Sequence, residues 1–216
     1  MRIRIVIAAV LAGFVAKAAG PPLPELRVEP TGGGSIFYVR NVASEPLTAF
    51  LVELVNYPGS SYSLWQDALG SEAIAPGVEK RIPVTNMTVG AVPDYVKMQA
   101  ALYADGSSSG SPEKAVQLVE RRRRTLETTR ELIRRLEKSQ AAGTAKATLI
   151  AELKQWADTM QPESKENRNS PAAIFQAARR TAVLAAVTRL DAHSIDETLE
   201  ELRVSESALA ASKPTL

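Results

Sequence analysis

Tyr103-Ala104-Asp105-Gly106-Ser107-Ser108-Ser109-Gly110-Ser111-Pro112-Glu113 divides the chain into two kinds of pattern. On its N-terminal side, apolar residues come in short runs separated by Gly, Pro and Ser. On its C-terminal side they recur every three or four residues, almost to the end of the chain. Within the stretch, Asp105-Gly106 is a turn dipeptide, because glycine accepts a positive φ without steric cost. Ser111 suits a helix N-cap, Pro112 the first helical position, and Glu113 the positive end of the helix dipole. Asp105 to Gly110 reads as a plain connector between the strands and the first helix. The sequence therefore predicts an α+β chain, with strands over 20–110 and helices over 111–216.

Working upstream, six runs carry β-type composition: Leu26 to Glu29, Ser35 to Val42, Leu47 to Val55, Tyr62 to Leu69, Val78 to Val84 and Tyr95 to Tyr103. Ser44-Glu45-Pro46, the Gly-Ser loop Pro58 to Ser61 and Ala75-Pro76-Gly77 separate them. Short strands at near-regular spacing, with no helical interruption, predict an antiparallel β-sandwich.

Working downstream, nothing breaks a helix from Pro112 to about Ser139. Ala115, Val119, Leu126, Ile133 and Leu136 fall on one stripe of a helix about 40 Å long at 1.5 Å per residue. Gly143 ends it. Leu149, Ile150, Leu153, Trp156, Ala157 and Met160 mark a second helix. A polar loop runs to Asn169, and Ser170-Pro171 starts a third, Ala-rich helix to about Leu190. Ser194 with Glu197 three residues on is a capping box, and Ile195, Leu199, Leu202 and Leu209 mark a fourth helix. The long stripe either packs on the other helices or pairs with another copy as in a coiled coil.

The N-terminus has the three-part layout of a secretory signal. Arg2 and Arg4 precede the apolar run Ile5 to Ala16, and Ala16-Lys17-Ala18 is a small-x-small cleavage pattern. The run is 12 residues, against about 20 needed to span a membrane. Residues 1–19 are thus expected to be removed on export to the periplasm or medium. With those three basic residues gone, the 216-residue chain keeps 23 basic and 24 acidic residues. Charge is uneven: Gly20 to Gly110 holds 5 basic and 9 acidic residues, and the remainder 18 and 15. No later segment reads as membrane-spanning, since Arg179 and Arg180 interrupt the Ala-rich helix.

Composition narrows the chemistry. The chain has no cysteine and one histidine. That excludes disulfides, thiolate metal sites, cysteine nucleophiles and metal sites built on histidine pairs. His193 is the sole imidazole, at the end of the third helix, where a cation favours the dipole. Neither a Gly-x-Ser-x-Gly elbow nor a phosphate-binding glycine loop is present. Asp67, Glu72, Asp94 and Asp105 lie near β-region loops, but their spacing singles out no catalytic pair. Two groups could contact a partner. Arg121, Arg122, Arg123 and Arg124 form a cationic run, with Glu120, Glu127 and Glu131 at pairing distance along the helix. Tyr57, Tyr62 and Trp65 flank the Gly-Ser loop as interface anchors.

Two stretches carry a resemblance. Val39-Arg40-Asn41-Val42-Ala43-Ser44-Glu45-Pro46-Leu47, with Leu69 to Val78 around Ala75-Pro76-Gly77, resembles small bacterial immunoglobulin-like sandwiches, the cell-adhesion-related domains among them. Ala101 to Ser107 leading into the Arg-rich helix is similar to uncharacterised secreted proteins of soil bacteria. The resemblance covers Leu26 to Lys138. It implies an immunoglobulin-like fold and an exported binding or scaffold module, with no catalytic residue to carry over. The expectation is a non-enzymatic exported protein without cofactor or metal. Its partner would be a protein or envelope component rather than nucleic acid, and self-association is open. The alternative is a carboxylate-dependent hydrolase of envelope or extracellular polymers.

Overall fold

The computed structural model describes residues 20–69, 72–85, 89, 91–161 and 170–212. Residues 1–19, expected as an export signal, most of the expected polar loop (162–169) and the tail from Lys213 lie outside the described residues. Among the described residues, seven strands form two antiparallel sheets. β1 (Glu25–Thr31), β2 (Gly34–Arg40) and β5 (Glu79–Val84) are ordered 1-2-5. β3 (Leu47–Leu54), β4 (Ser63–Asp67), β6 (Val96–Tyr103) and β7 (Ser108–Gly110) are ordered 4-3-6-7.

Period-two alternation explains how the sheets share a core. Phe37 and Val39 of β2 and Ile82 and Val84 of β5 pack with Phe50 and Val52 of β3 and Ala101 and Tyr103 of β6. The intervening residues of β3, Ala49 and Leu51, face the other way. They meet Ala100 and Leu102 of β6 and, from the long helix, Ala115 and Leu118. β3 is buried on both faces, which is why it reads as a continuous apolar run rather than an alternating one.

Four helices follow: α1 (Pro112–Ala141), α2 (Lys146–Asp158), α3 (Pro171–Ala192) and α4 (Ile195–Ala211). The N-caps are the serines the sequence indicates. Ser111 accepts from the Lys114 N–H and Ser170 from the Ala173 N–H, and Ser194 forms the reciprocal capping box with Glu197. Leu132 and Leu136 of α1 close a second core with Leu149 and Leu153 of α2, Val183 and Leu190 of α3, and Leu199 and Leu202 of α4. α1 thus lies on the four-stranded sheet at its start and among the other helices at its end. Its buried line is Ala115, Leu118, Leu126, Leu132 and Leu136. Val119 and Ile133, expected on the stripe, flank it half-buried. The chain's own sheet and helices bury this line.

Two expectations need correction. Asp105 to Gly110 is not a plain connector: Ser108–Gly110 is β7, paired with β6 from Ala100↔Gly110 to Leu102↔Ser108. The Asp105-Gly106 turn closes this hairpin, with Gly106 at φ 86° and the Asp105 carboxylate accepting from the Ser107 N–H at 2.9 Å. β2 also stops at Arg40, short of Val42, because Asn41 turns inward to bond the neighbouring loops. Gly110 sits at φ 89°, where a Cβ would run into the Gln99 carbonyl oxygen. Gly110→Ala is therefore expected to cost at least about 1–2 kcal/mol from its left-handed backbone alone, read as a lower denaturant midpoint. Among the described residues, no helix is long and apolar enough to cross a membrane.

Candidate binding cleft

Successive helical residues point about 100° apart, so four consecutive arginines cannot share one face. Arg122 points inward, with only 3% of its surface exposed. Its Nη2 donates to Asp67 Oδ1 at 2.8 Å and to the Thr48 carbonyl at 3.0 Å, and its Nε donates to Asp67 Oδ2 at 3.2 Å. This forked, charge-assisted contact ties the end of β4 to α1. Burial removes Arg122 from the surface open to a partner, a correction to its candidacy. Arg123 and Arg124 both bond Glu120, and Arg124 also reaches Glu127 at 3.1 Å. These are ordinary i,i+3 and i,i+4 pairs.

Arg121 differs from the other three. Its guanidinium lies 5.4 Å from the Trp65 ring centroid, and it forms no ion pair among the described residues. Burial pulls its pKa down, and the Asp67 carboxylate partly offsets that shift. Asp67 is already engaged by Arg122. Arg121 is thus a half-buried cation held by an aromatic face and lacking a carboxylate of its own.

The three aromatics do not form one patch. Tyr62 turns into the core between the sheets, its ring edge-to-face with Phe37 at 6.3 Å, and burial raises its pKa. Trp65 faces α1 from the other side of β4. Tyr57 stacks edge-to-face on Tyr95 at 5.2 Å. Of the seven candidate residues, the structure brings together Arg121, Trp65 and the rim of Tyr62, which line one cleft.

That cleft holds about 390 Å³ between β4, α1 and the first turns of α3. Lys114 and Glu53 form one wall through an ion pair of 2.9 Å. Ile174 and Ala177 of α3 give an apolar wall. Gln117, one helical turn from Arg121, lines the cleft, and its side-chain carbonyl oxygen is buried without a hydrogen-bond donor. Sequence reasoning missed Lys114 and Gln117. Their positions, seven and four residues before Arg121, put them on its helix face, a signal visible only once Arg121 is distinguished from the other arginines. Compared with known protein families, curated proteins and solved structures, the chain matches none.

The remaining candidates have local partners. His193 follows α3, its N–H donating to the Arg189 carbonyl at 2.7 Å, and its ring lies 3.9 Å from Glu201. Asp105 serves the β6–β7 turn, and Asp94 lies in the 3-10 turn Pro93–Tyr95. Asp67 and Glu72 border a hollow of about 500 Å³ with the small residues of α3 and α4. The groove between α1 and α2 is lined by Arg134, Arg135 and Lys138, and Glu131 pairs with both arginines. Among the described residues, no three acids or histidines cluster as a metal site.

Proposed function

We propose that the chain is an exported, non-enzymatic binding module in which an immunoglobulin-like sandwich, capped by helices, holds an anionic ligand in the β4–α1–α3 cleft. The observation that carries the reading is Arg121: half-buried, stacked on Trp65 and without a carboxylate. Desolvating a cation is costly unless an anion or hydrogen-bond acceptor meets it, so the position favours an incoming acid. The strand orders 1-2-5 and 4-3-6-7 support the immunoglobulin-like assignment, as does the Asn41 to Leu47 turn. The basic, apolar and small-residue order of residues 1–19 supports export.

One experiment addresses both halves. Expressed as the full chain in a Gram-negative bacterium, the protein is expected in the periplasmic fraction, with an intact mass beginning at Ala19 or Gly20. Melting curves of that material are then recorded with three anionic probes: a ten-residue peptide of alternating threonine and glutamate, trigalacturonate, and inorganic phosphate. At least one is expected to raise the melting temperature of the wild type and not that of Arg121→Gln. Full-length protein retained in the cytoplasm overturns export. No response to any probe, or equal responses in both proteins, overturns binding in the cleft.

A further inference from the structure

The free edges of the two sheets are not alike. In the three-stranded sheet the edges are β1, which contains Pro30, and β5, which contains Pro83 with Lys80 and Arg81. Proline and charge on an edge are standard means of keeping another strand away. In the four-stranded sheet, β7 is only three residues long. β4, the longer edge at five residues, has neither proline nor a basic residue, and its single charge, Asp67, is engaged by Arg122.

The ladder shows which main-chain groups that edge offers. The Leu54 N–H donates to the Tyr62 carbonyl at 3.0 Å, and the Ala68 N–H to the Thr48 carbonyl at 2.8 Å. Even-numbered positions therefore exchange bonds with β3, and the N–H and C=O of Ser63 and Trp65 point to the opposite edge. Among the described residues, no strand pairs with that edge. The same residues line the cleft that contains Arg121 and the orphan oxygen of Gln117.

We infer that this cleft takes an extended acidic peptide segment of a partner protein, which adds to the free edge of β4 as a further strand and sets a carboxylate on Arg121. The inference rests on the reading of the cleft as the binding site and names its occupant. An extended backbone matches the two-residue repeat of Ser63 and Trp65, as in other strand-addition complexes. Alternate side chains of the added strand fall on the side of Trp65 and α1, so a glutamate at one such position reaches Arg121. The next residues along α1 are Gln117, which needs a donor, and Lys114, whose charge Glu53 already pairs. A sugar acid could satisfy Arg121 but has no reason to require the unprotected edge of a strand.

The test is a titration of the isotope-labelled protein with the ten-residue threonine–glutamate peptide, followed through backbone amide resonances. The amides of Ser63 and Trp65 are expected to shift. The glutamine-for-glutamate peptide and the Arg121→Gln protein are each expected to lower affinity about tenfold or more, the scale of one lost charge-assisted contact. Ser63→Pro removes an outward N–H without touching the bonds to β3, and is expected to abolish binding while Arg121→Gln and wild type keep the same fold. A peptide N-methylated at alternate residues gives the same loss on the wild-type protein, whether or not Ser63→Pro folds. Peptide binding that survives both N-methylation and Ser63→Pro overturns strand addition. Trigalacturonate binding that depends on Arg121, with no peptide binding, overturns the peptide and leaves the cleft standing. If no probe binds, both readings fall.

Discussion

Asp67→Ala is expected to lower the unfolding free energy by about 3–5 kcal/mol, the usual cost of leaving a buried charge without its partner. The Arg122 side chain is 4% exposed and that of Asp67 is 33% exposed. Removing the aspartate therefore strands a guanidinium that cannot reach water and keeps only the Thr48 carbonyl. Removing the arginine is different. In Arg122→Met the aspartate turns to solvent, and methionine fits the apolar line between Leu118 and Leu126, so the loss should be about 1–3 kcal/mol. The double variant Asp67→Ala/Arg122→Met should be more stable than Asp67→Ala alone, with strong non-additivity between two groups in direct contact. Denaturant unfolding of the three proteins measures all of these terms. If Arg122→Met proves the more damaging single change, the asymmetry of burial does not govern this contact. Native domains have only about 5–15 kcal/mol in reserve, so this one pair decides a large share of it.

The run Arg121 to Arg124 shows where reading from sequence stops. Its composition says charge and its helical setting says all directions. The apolar positions Leu118 and Leu126 lie one turn on either side of Arg122, so helical spacing could have singled it out as the inward residue. Its partner could not be found that way, because Asp67 is 55 residues earlier in the chain. The same limit hides the cleft, where Trp65 and Arg121 come from different elements. Local signals fared better. Ser111, Ser170 and Ser194 cap helices because a cap is settled within four residues. β7 was illegible for the opposite reason: Ser108-Ser109-Gly110 has no apolar pattern of its own, and only pairing with β6 makes it a strand.

Asn41 marks the place where a short turn signature acquires a physical cause. The residue is fully buried. Its Nδ2 donates to the carbonyls of Glu45 and Ile74, both at 2.8 Å, and its Oδ1 accepts from the Ala43 N–H at 3.0 Å. Its main chain receives the Gly77 N–H at 2.7 Å and donates to the Val78 carbonyl at 3.0 Å. One side chain therefore fastens the β2–β3 turn to the loop before β5 and satisfies three main-chain groups. Asn41→Ala leaves those groups without partners and should cost about 2–4 kcal/mol. Asn41→Asp keeps the shape but sets a carboxylate oxygen against two carbonyls, and near neutral pH it should cost more than the alanine change. Its sign with pH is diagnostic. The folded state disfavours the ionised form, so the introduced carboxyl has a folded pKa above its unfolded value. Its penalty is greatest above that folded value and shrinks as pH falls through it, because the protonated group can donate to one of the carbonyls. Unfolding curves at about pH 7 and about pH 4 should show the gap to wild type closing on acidification. A gap independent of pH would mean that the loss lies in packing around the turn, not in the two carbonyl contacts.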